Sequence, residues 1–377
     1  MSRGVWMLAR KTLLHDRVKF AVASAGVSIS VLLVLVQIGL YFGFMQNASN
    51  LIDHSRADVW VTGEASENFD FSAPLDERVY YRVLETPGVA AAERMILAFG
   101  QFRQAEGGTQ GVQVVGVEKR PVLGGPWNVV AGDAGRTAEV DGIVVDQTEF
   151  GKLKVEKLDE RREISGARAK VVGLTKGIRS FTTSPFVFTN LDTARTYTRM
   201  DKDQINYVLV KAAPGTDLQA LKARLDAIPH VDAYTTPEMS ERTRAYWSSR
   251  TGVGAGFFTT AIMGIIVGLV VVGQILYNGT LEHVREYGTL KAMGAKNRLI
   301  VGVILVQAMI SAAVGFVIGG GLSFASRAAM RGANLIVALS PQLLAATAVL
   351  TAVMCAAAAL LSVLKVLRLD PATVFKG

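Results

Sequence analysis

The sequence predicts an integral membrane protein: an α-helical bundle of four spans, with a large α+β extracytoplasmic domain between spans 1 and 2. Three observations lead to this fold class. Half of the 377 residues are hydrophobic and only 19% are charged, below the roughly 25% of a soluble domain. Asp, Glu, Lys and Arg are absent from four long runs, residues 20–44, 251–281, 299–326 and 332–364. Residues 45–250 carry the charged and turn residues of a folded aqueous domain.

Each uncharged run is long enough to cross a bilayer, because about 20 apolar residues in a helix span the hydrocarbon core. The first run is also longer than the 7–15 apolar residues, roughly, of a signal peptide, and no small-residue cleavage site follows it. We therefore expect a retained first anchor. The predicted spans are residues 20–44, 251–277, 299–326 and 332–364.

The charge distribution predicts the orientation of the chain. Residues 45–250 hold 26 basic and 28 acidic residues, whereas the rest of the chain holds 14 basic and 4 acidic residues. Most of that excess lies in an amphipathic N-terminal segment (1–19), the connection 278–298 and a C-terminal tail (365–377). Short basic flanks remain cytoplasmic, so we expect both termini in the cytoplasm and residues 45–250 on the other side. An excess placed beside apolar runs indicates a membrane surface, and no nucleic-acid partner is predicted.

The external domain contains one pattern twice: a strand, an amphipathic helix, a proline and a second strand. In the first copy, residues 59–61 are the strand and 74–84 the helix, with Leu75, Val79 and Val83 on one face. The second copy consists of a strand at 206–210, a helix at 217–228 and a strand at 231–234. This repetition predicts a split βαβ lobe, although two unrelated βαβ pieces remain an alternative. Gly- and Val-rich residues at about 106–190 predict a second, β-rich lobe.

Sequence motifs for catalysis or for metal binding are absent. No phosphate-binding Gly-x-x-x-x-Gly-Lys-Ser/Thr loop, nucleophile elbow or zinc-protease motif occurs. One cysteine, Cys355, cannot form a disulfide framework, and the four histidines are scattered. We therefore predict no catalytic, cofactor-binding or metal-binding residue and no enzyme activity for this chain. A membrane-anchored external enzyme remains an alternative, and it would need a pocket with perturbed titratable groups.

The most informative segment is the predicted cytoplasmic connection, residues 278–298. Apolar residues recur there at helical spacing, charged residues flank them, and a glycine suited to ending a helix follows. The apolar positions are Leu281, Val284, Gly288 and Ala292; the charged ones are Glu282, Arg285, Glu286 and Lys291; the glycine is Gly294. This pattern predicts a short amphipathic helix, with an ordinary solvated loop as the alternative.

Two pairs of glycines four residues apart lie within the spans, Gly264 with Gly268 and Gly315 with Gly319. Small residues at this spacing let helices approach closely. They predict helix packing within the subunit, or contact with a second copy.

The chain resembles the permease subunits of the MacB/FtsX-like class of ABC systems, and within that class the DevC type known from the heterocyst glycolipid exporter. The layout of one span, an external domain and three further spans is similar. So are Gln274-Ile275-Leu276-Tyr277, His283, Glu286-Tyr287, residues 289–294 and residues 370–375.

This resemblance implies a MacB-like fold in the bacterial inner membrane, with a second permease copy and a separate ABC ATPase subunit that binds ATP and Mg. The chain itself would hold no cofactor. The helix between spans 2 and 3 would sit in a groove of the ATPase, and the matching positions here are Glu282, His283, Arg285, Glu286, Tyr287, Leu290, Lys291 and Gly294.

The resemblance also implies mechanotransmission. Movement of the external domains would export a lipid-like or hydrophobic substrate through a periplasmic adaptor and an outer-membrane channel, with membrane lipid as a further partner. Two alternatives of the same class remain: a lipoprotein-releasing permease, and FtsX-like transmembrane signalling to a cell-wall hydrolase.

Overall fold

The computed structural model describes residues 3–182, 184–283, 286, 288–289, 293, 295–332 and 335–367. The chain forms two compact units, one from Met1–Gly43 with Gly254–Gly377 and the other from Phe44–Val253. They are called the membrane unit and the external unit below, and each is described by itself.

All strands of the described residues lie in the external unit, and the helices occur in both units. The helices are α1 (Arg3–His15), α2 (Arg17–Ala48), α3 (Asn50–Asp53), α4 (Arg78–Leu84), α5 (Phe150–Leu153), α6 (Leu191–Thr198), α7 (Leu218–Asp226), α8 (Thr236–Ala245), α9 (Val253–Glu282), α10 (Asn297–Gly332) and α11 (Pro341–Leu367). The strands are β1 (Val59–Gly63), β2 (Leu75–Asp76), β3 (Val89–Arg103), β4 (Thr109–Val117), β5 (Val129–Gly132), β6 (Gly142–Asp146), β7 (Arg161–Ile164), β8 (Ala167–Thr175), β9 (Phe186–Asn190), β10 (Gln204–Ile205), β11 (Tyr207–Ala212) and β12 (Val231–Thr235).

The predicted fold class is confirmed. Helices α2, α9, α10 and α11 have the length and apolar composition needed to cross a bilayer, and the large mixed α and β unit lies between the first and the second of them. Their side chains share one buried cluster: Val27, Val31 and Leu35 from α2, Val272 and Leu276 from α9, Ile304 and Ala308 from α10, and Met354, Cys355 and Ala358 from α11.

The fourth span begins later than the sequence predicts. Helix α11 starts at Pro341 rather than at residue 332. Proline suits the first helical position because its missing N–H needs no partner there, and the Ser340 hydroxyl accepts a hydrogen bond from the Leu343 N–H (3.1 Å). Residues 335–340 are not helical. They lie along α2, where the Ala338 N–H donates to the Gly39 carbonyl (2.9 Å).

The strand order β12-β1-β11-β3 is that of a split βαβ sandwich. Strands β1 and β3, joined through α4, both run antiparallel to β11, which lies between them. Strands β11 and β12, joined through α7, both run antiparallel to β1. Each helix thus connects two parallel strands separated by one strand of the other βαβ unit.

Strand β3 extends the sheet beyond the split βαβ sandwich. Its first half pairs with β11 and its second half, from Ile96 to Arg103, pairs with β4. Beyond β4 the order continues β9-β6-β8-β5, while β7 pairs with β3 and β8. The Gly- and Val-rich stretch therefore extends the same hydrogen-bonded sheet.

The predicted helix at residues 74–84 is wrong in its first turn. Leu75 does not lie on a helix face, since Leu75 and Asp76 form β2 and pair with Ile205 and Gln204. The helix begins at Arg78, whose N–H is accepted by the Asp76 carboxylate (2.8 Å). Val79 and Val83 are buried on α4, as predicted. The first predicted turn is extended because it pairs with β10, which is distant in the sequence. A local sequence pattern cannot predict such pairing.

Asp70 is a buried carboxylate of the external unit, with 5% of its surface exposed. One oxygen accepts a hydrogen bond from the Gln113 amide (2.9 Å) and the other from the Trp247 indole (2.9 Å). Burial raises the pKa of Asp70 above its ordinary value, although both hydrogen bonds oppose that shift.

This raised pKa predicts a pH dependence of stability. A group with a higher pKa in the folded state contributes stability below its unfolded pKa and loses that contribution as the pH rises through the folded value. We expect the wild type to melt at a higher temperature than Asp70→Asn near pH 4. This difference should shrink as the pH rises to about 8. Thermal unfolding of the full chain in detergent, followed by tryptophan fluorescence, measures it. An advantage that grows with pH would contradict this expectation.

Candidate functional site

The predicted coupling residues lie at the end of α9 and just beyond it. Glu282 is the last residue of α9, and the His283 N–H donates to the Gly279 carbonyl (3.3 Å). Glu286, Gly288 and Thr289 are helical, and the Met293 N–H donates to the Thr289 carbonyl (3.0 Å). The other predicted coupling residues lie outside the described residues: Arg285, Tyr287, Leu290, Lys291 and Gly294.

Two carboxylates of this segment are exposed. The side chain of Glu282 is 57% exposed and forms a close ion pair with Lys19, near the start of α2. Lys19 also contacts Asp16 (2.7 Å). The side chain of Glu286 is 70% exposed, and its carboxylate lies 3.0 Å from His283 Nδ1. Glu286 therefore presents an exposed carboxylate, while Lys19 neutralises Glu282 and ties the end of α9 to the start of α2.

Helix α1 lies against α10 in the same unit. Val5 and Ala9 are buried together with Val303 and Val306 of α10. Trp6 and Met7, on the other side of α1, are about half exposed. The N-terminal segment is therefore an amphipathic helix with one face packed on the bundle.

Lys19 and Asp16 were not among the predicted site residues. Lys19 is 263 positions from Glu282, so no local spacing connects them. One signal was present: Asp16 is the only acidic residue before Asp53. A single carboxylate among basic residues favours a local ion pair, here between Asp16 and Lys19. It does not point to Glu282.

The predicted packing glycines all contact α2. A Cβ on Gly268 would lie 2.8 Å from the Cβ of Ser30, and one on Gly264 would lie 3.1 Å from the Cβ of Leu33. On α10, a Cβ at Gly315 would lie 2.5 Å from the Cβ of Val27, and one at Gly319 would lie 2.8 Å from the Cβ of Val31. Real Cβ atoms do not approach so closely, so glycine at 268, 315 and 319 allows α9 and α10 to pack on α2.

The external unit has a polar cluster where the chain enters and leaves it. The Asp53 carboxylate, in α3, accepts hydrogen bonds from Ser49 (2.7 Å), Ser240 (2.5 Å) and Arg244 (2.7 Å). The Arg244 Nε also donates to the Ser49 hydroxyl (2.8 Å). This cluster joins the segment that follows α2 to α8, which precedes α9. Asp53 and Arg244 are 191 positions apart, and sequence reasoning missed them.

Within the described ranges, no group of three or more His, Cys, Asp or Glu side chains is placed to hold a metal ion. A small cavity of about 60 Å³ lies near the end of α9, and Asp16, Lys19, His283 and Gln307 are among the residues lining it. It is too small for a nucleotide, since ligand pockets usually measure about 300–1,000 Å³.

Two family models match the chain in sequence order. The model described as MacB-like periplasmic core domain matches residues 20–228, more than half of the chain. The model described as FtsX-like permease C-terminal matches residues 258–371.

Curated relatives match along most of the chain. An uncharacterized ABC transporter permease of Mycobacterium bovis is 23% identical over 308 residues, which is 81% of this chain and 81% of that protein. Another, from Mycobacterium tuberculosis, is 24% identical over 304 residues, 80% of each.

Two solved structures are similar to about half of this chain. The periplasmic region of MacB from Actinobacillus actinomycetemcomitans has a TM-score of 0.36 and 8% identity, covering 48% of this chain and 90% of that one. The extracellular domain of the noncanonic ABC-type transporter YknZ from Gram-positive bacteria has a TM-score of 0.34 and 11% identity, covering 48% and 99%.

Proposed function

This chain belongs to the MacB/FtsX-like family of ABC transporter permeases, and from that premise we propose that it converts ATP hydrolysis on a partner into movement of its external unit. The observation that carries the proposal is the order of the two family matches: residues 20–228 include the first span and most of the external unit, and residues 258–371 include most of the second span and the two spans that follow. The ATPase activity lies on a separate subunit.

The ATPase contact is assigned to the segment after α9. Its support is the exposed carboxylates of Glu282 and Glu286 and the helical backbone at Glu286, Gly288 and Thr289. Exposed charges at a contact set orientation and association rate more than affinity. His283, Arg285, Tyr287, Leu290, Lys291 and Gly294 complete the proposed contact. ATP and Mg bind to the partner, and this chain holds no cofactor.

The proposed orientation places both termini and the coupling segment in the cytoplasm and the external unit in the periplasm of a bacterial inner membrane. Its support is the basic excess beside the spans. Two copies of the chain pair in the assembly. The spans lack charged side chains in their central parts, which argues against a polar path through the bundle.

We further assign the exporter to the DevC kind, with a lipid-like or hydrophobic substrate delivered to a periplasmic adaptor and an outer-membrane channel. The polar cluster of Asp53, Ser240 and Arg244 supports mechanotransmission, because it joins the segment after α2 to the helix before α9. Movement of either segment therefore pulls on the other.

Purification of the full chain from its native membrane in mild detergent tests this proposal. We expect an ABC ATPase subunit and a periplasmic adaptor to co-purify with it. A cell-wall hydrolase in place of the adaptor would indicate FtsX-like signalling, and a lipoprotein carrier would indicate lipoprotein release. The absence of any ATPase, under conditions that keep other ABC complexes intact, would overturn the proposal.

A further inference from the structure

A cavity of about 620 Å³ opens on the external unit beside the loop between β4 and β5. Its lining includes the positively charged side chains of Arg56, Lys119 and Arg120 together with the rings of His54 and Trp127. All of its lining residues belong to the described part of the chain, and none of them is Asp or Glu. Its volume is within the range of small-molecule sites.

The acidic residues next to these cations in sequence have other partners. Glu118 pairs with Arg94 (2.8 Å), Asp53 with Arg244 (2.7 Å) and Asp58 with Lys211 (2.9 Å). Among the residues that the structure describes, neither Arg56 nor Arg120 has an ion-pair partner. Lys119 has only a distant, exposed contact with Asp192 (3.8 Å). Among the described residues, the side chains of Arg56 and Arg120 therefore carry positive charge that no close carboxylate pairs with, and the one carboxylate against this loop, Glu93, is bonded to its backbone.

The loop that forms the pocket is held rigidly by Glu93. Its carboxylate accepts hydrogen bonds from the backbone N–H groups of Val122 (2.6 Å), Leu123 (2.9 Å) and Gly124 (3.2 Å). The Arg56 N–H donates to the Leu123 carbonyl (2.8 Å). The cations thus lie on a backbone that is already ordered, which lowers the entropic cost of binding a ligand.

One wall of the pocket is aromatic. The rings of His54 and Trp127 stack with centroids 4.5 Å apart and planes 7° apart. Trp127 is held in turn by an edge contact with Phe188, at 6.4 Å between centroids. A flat apolar surface therefore lies in the same cavity as the guanidinium groups.

We propose that this pocket binds a phosphate ester, with the phosphate held by Arg56, Arg120 and Lys119 and the organic part against the His54–Trp127 wall. A phosphate monoester carries a charge of about −1.5 to −2 near neutral pH, which three cations can balance. Arginine forks match phosphate oxygens in pairs. This assignment does not depend on the proposed ATPase contact, which involves other residues.

The phosphate could come from a soluble ester or from a lipid headgroup.

Fluorine NMR of 4-fluorophenyl phosphate with the full chain in an uncharged detergent tests the site. We expect the wild type to broaden the probe signal, and Arg56→Gln/Arg120→Gln to weaken binding at least about tenfold, the equivalent of ~1.4 kcal/mol. Both arginines are exposed, so we expect this variant to keep the melting temperature of the wild type. Neutral 4-fluorobenzyl alcohol reports uptake by the detergent micelle.

The matched control is Arg78→Gln/Arg82→Gln, which removes two exposed arginines from α4 and should leave probe binding unchanged. Equal binding by the wild type and the pocket variant, or equal loss in both double variants, would overturn the assignment. If glycerophosphoglycerol displaces the bound probe, the site accepts a lipid headgroup. If only phenyl phosphate displaces it, the site takes a soluble aryl ester.

Discussion

Replacing Gly315 with leucine should destabilise the membrane unit more than any other single change considered for it. A Cβ at this position would lie 2.5 Å from both the Cβ and the Cγ1 of Val27, and 3.1 Å from the Ser24 carbonyl oxygen. Two of these contacts involve the rigid start of a side chain and the third involves backbone, so α10 has to move away from α2. Overpacking costs about 1–3 kcal/mol or more, equivalent to a fall in melting temperature of about 2–12 °C for a domain of this size.

Gly321 of the same helix is the matched control. It is exposed, and a Cβ there meets nothing within 4 Å. Gly321→Leu should leave the melting temperature unchanged or raise it slightly, since leucine favours a helix over glycine by up to about 1 kcal/mol. Thermal unfolding of both variants in the same detergent, with size-exclusion profiles before heating, measures the difference. Equal melting temperatures would show that α10 does not pack on α2 through Gly315.

Replacing Glu286 with arginine should uncouple the permease from its ATPase without unfolding it. The Glu286 side chain is 70% exposed, so it contributes little to packing. Its replacement puts a cation where the ATPase is proposed to meet a carboxylate. A reversed charge at such a contact costs several kcal/mol, and we expect the ATPase rate stimulated by the permease to fall at least about tenfold, the equivalent of ~1.4 kcal/mol.

The control for this variant is Glu106→Arg, the same exchange at an exposed position between β3 and β4 of the external unit. The stimulated ATPase rate of the reconstituted complex is measured for the wild type and both variants, together with their melting temperatures. Full stimulation by Glu286→Arg would remove this residue from the coupling contact. Binding of 4-fluorophenyl phosphate should remain unchanged in Glu286→Arg, which keeps the two proposals separate.

Much of the fold could be predicted from the sequence because its signals are local. An uncharged run of sufficient length predicts a span wherever it occurs, and α2, α9 and α10 contain the predicted spans or nearly all of their length. Helix α7 begins where Asp217 suggested, and the Asp217 carboxylate accepts from the Gln219 N–H (2.9 Å). The first turn predicted for residues 74–84 failed because Leu75 pairs with Ile205, a contact that no local pattern encodes.

The residues of the candidate site also fall into two groups: those that a local sequence pattern predicts and those that only the fold brings together. Glu282 and Glu286 could be named from the periodic segment after the second span, because their spacing lies within one helical turn. Lys19, which holds Glu282, could not, since its charge alone does not distinguish it from the other basic residues of the N-terminal flank. The pocket of Arg56, Arg120 and Trp127 could not be predicted either, because its lining joins residues that are far apart in the sequence.

The sequence by itself determined how many times the chain crosses the membrane, where the external unit is inserted and which segment carries charge between spans 2 and 3. Bilayer thickness and charge solvation act on each stretch separately, so composition is sufficient for these properties. Only the tertiary structure decided that Lys19 pairs with Glu282, that Asp53 joins Arg244, and that Gly268 and Gly315 both pack on α2. These contacts join residues far apart in the chain, and their partners are chosen by the packing of whole helices and sheets.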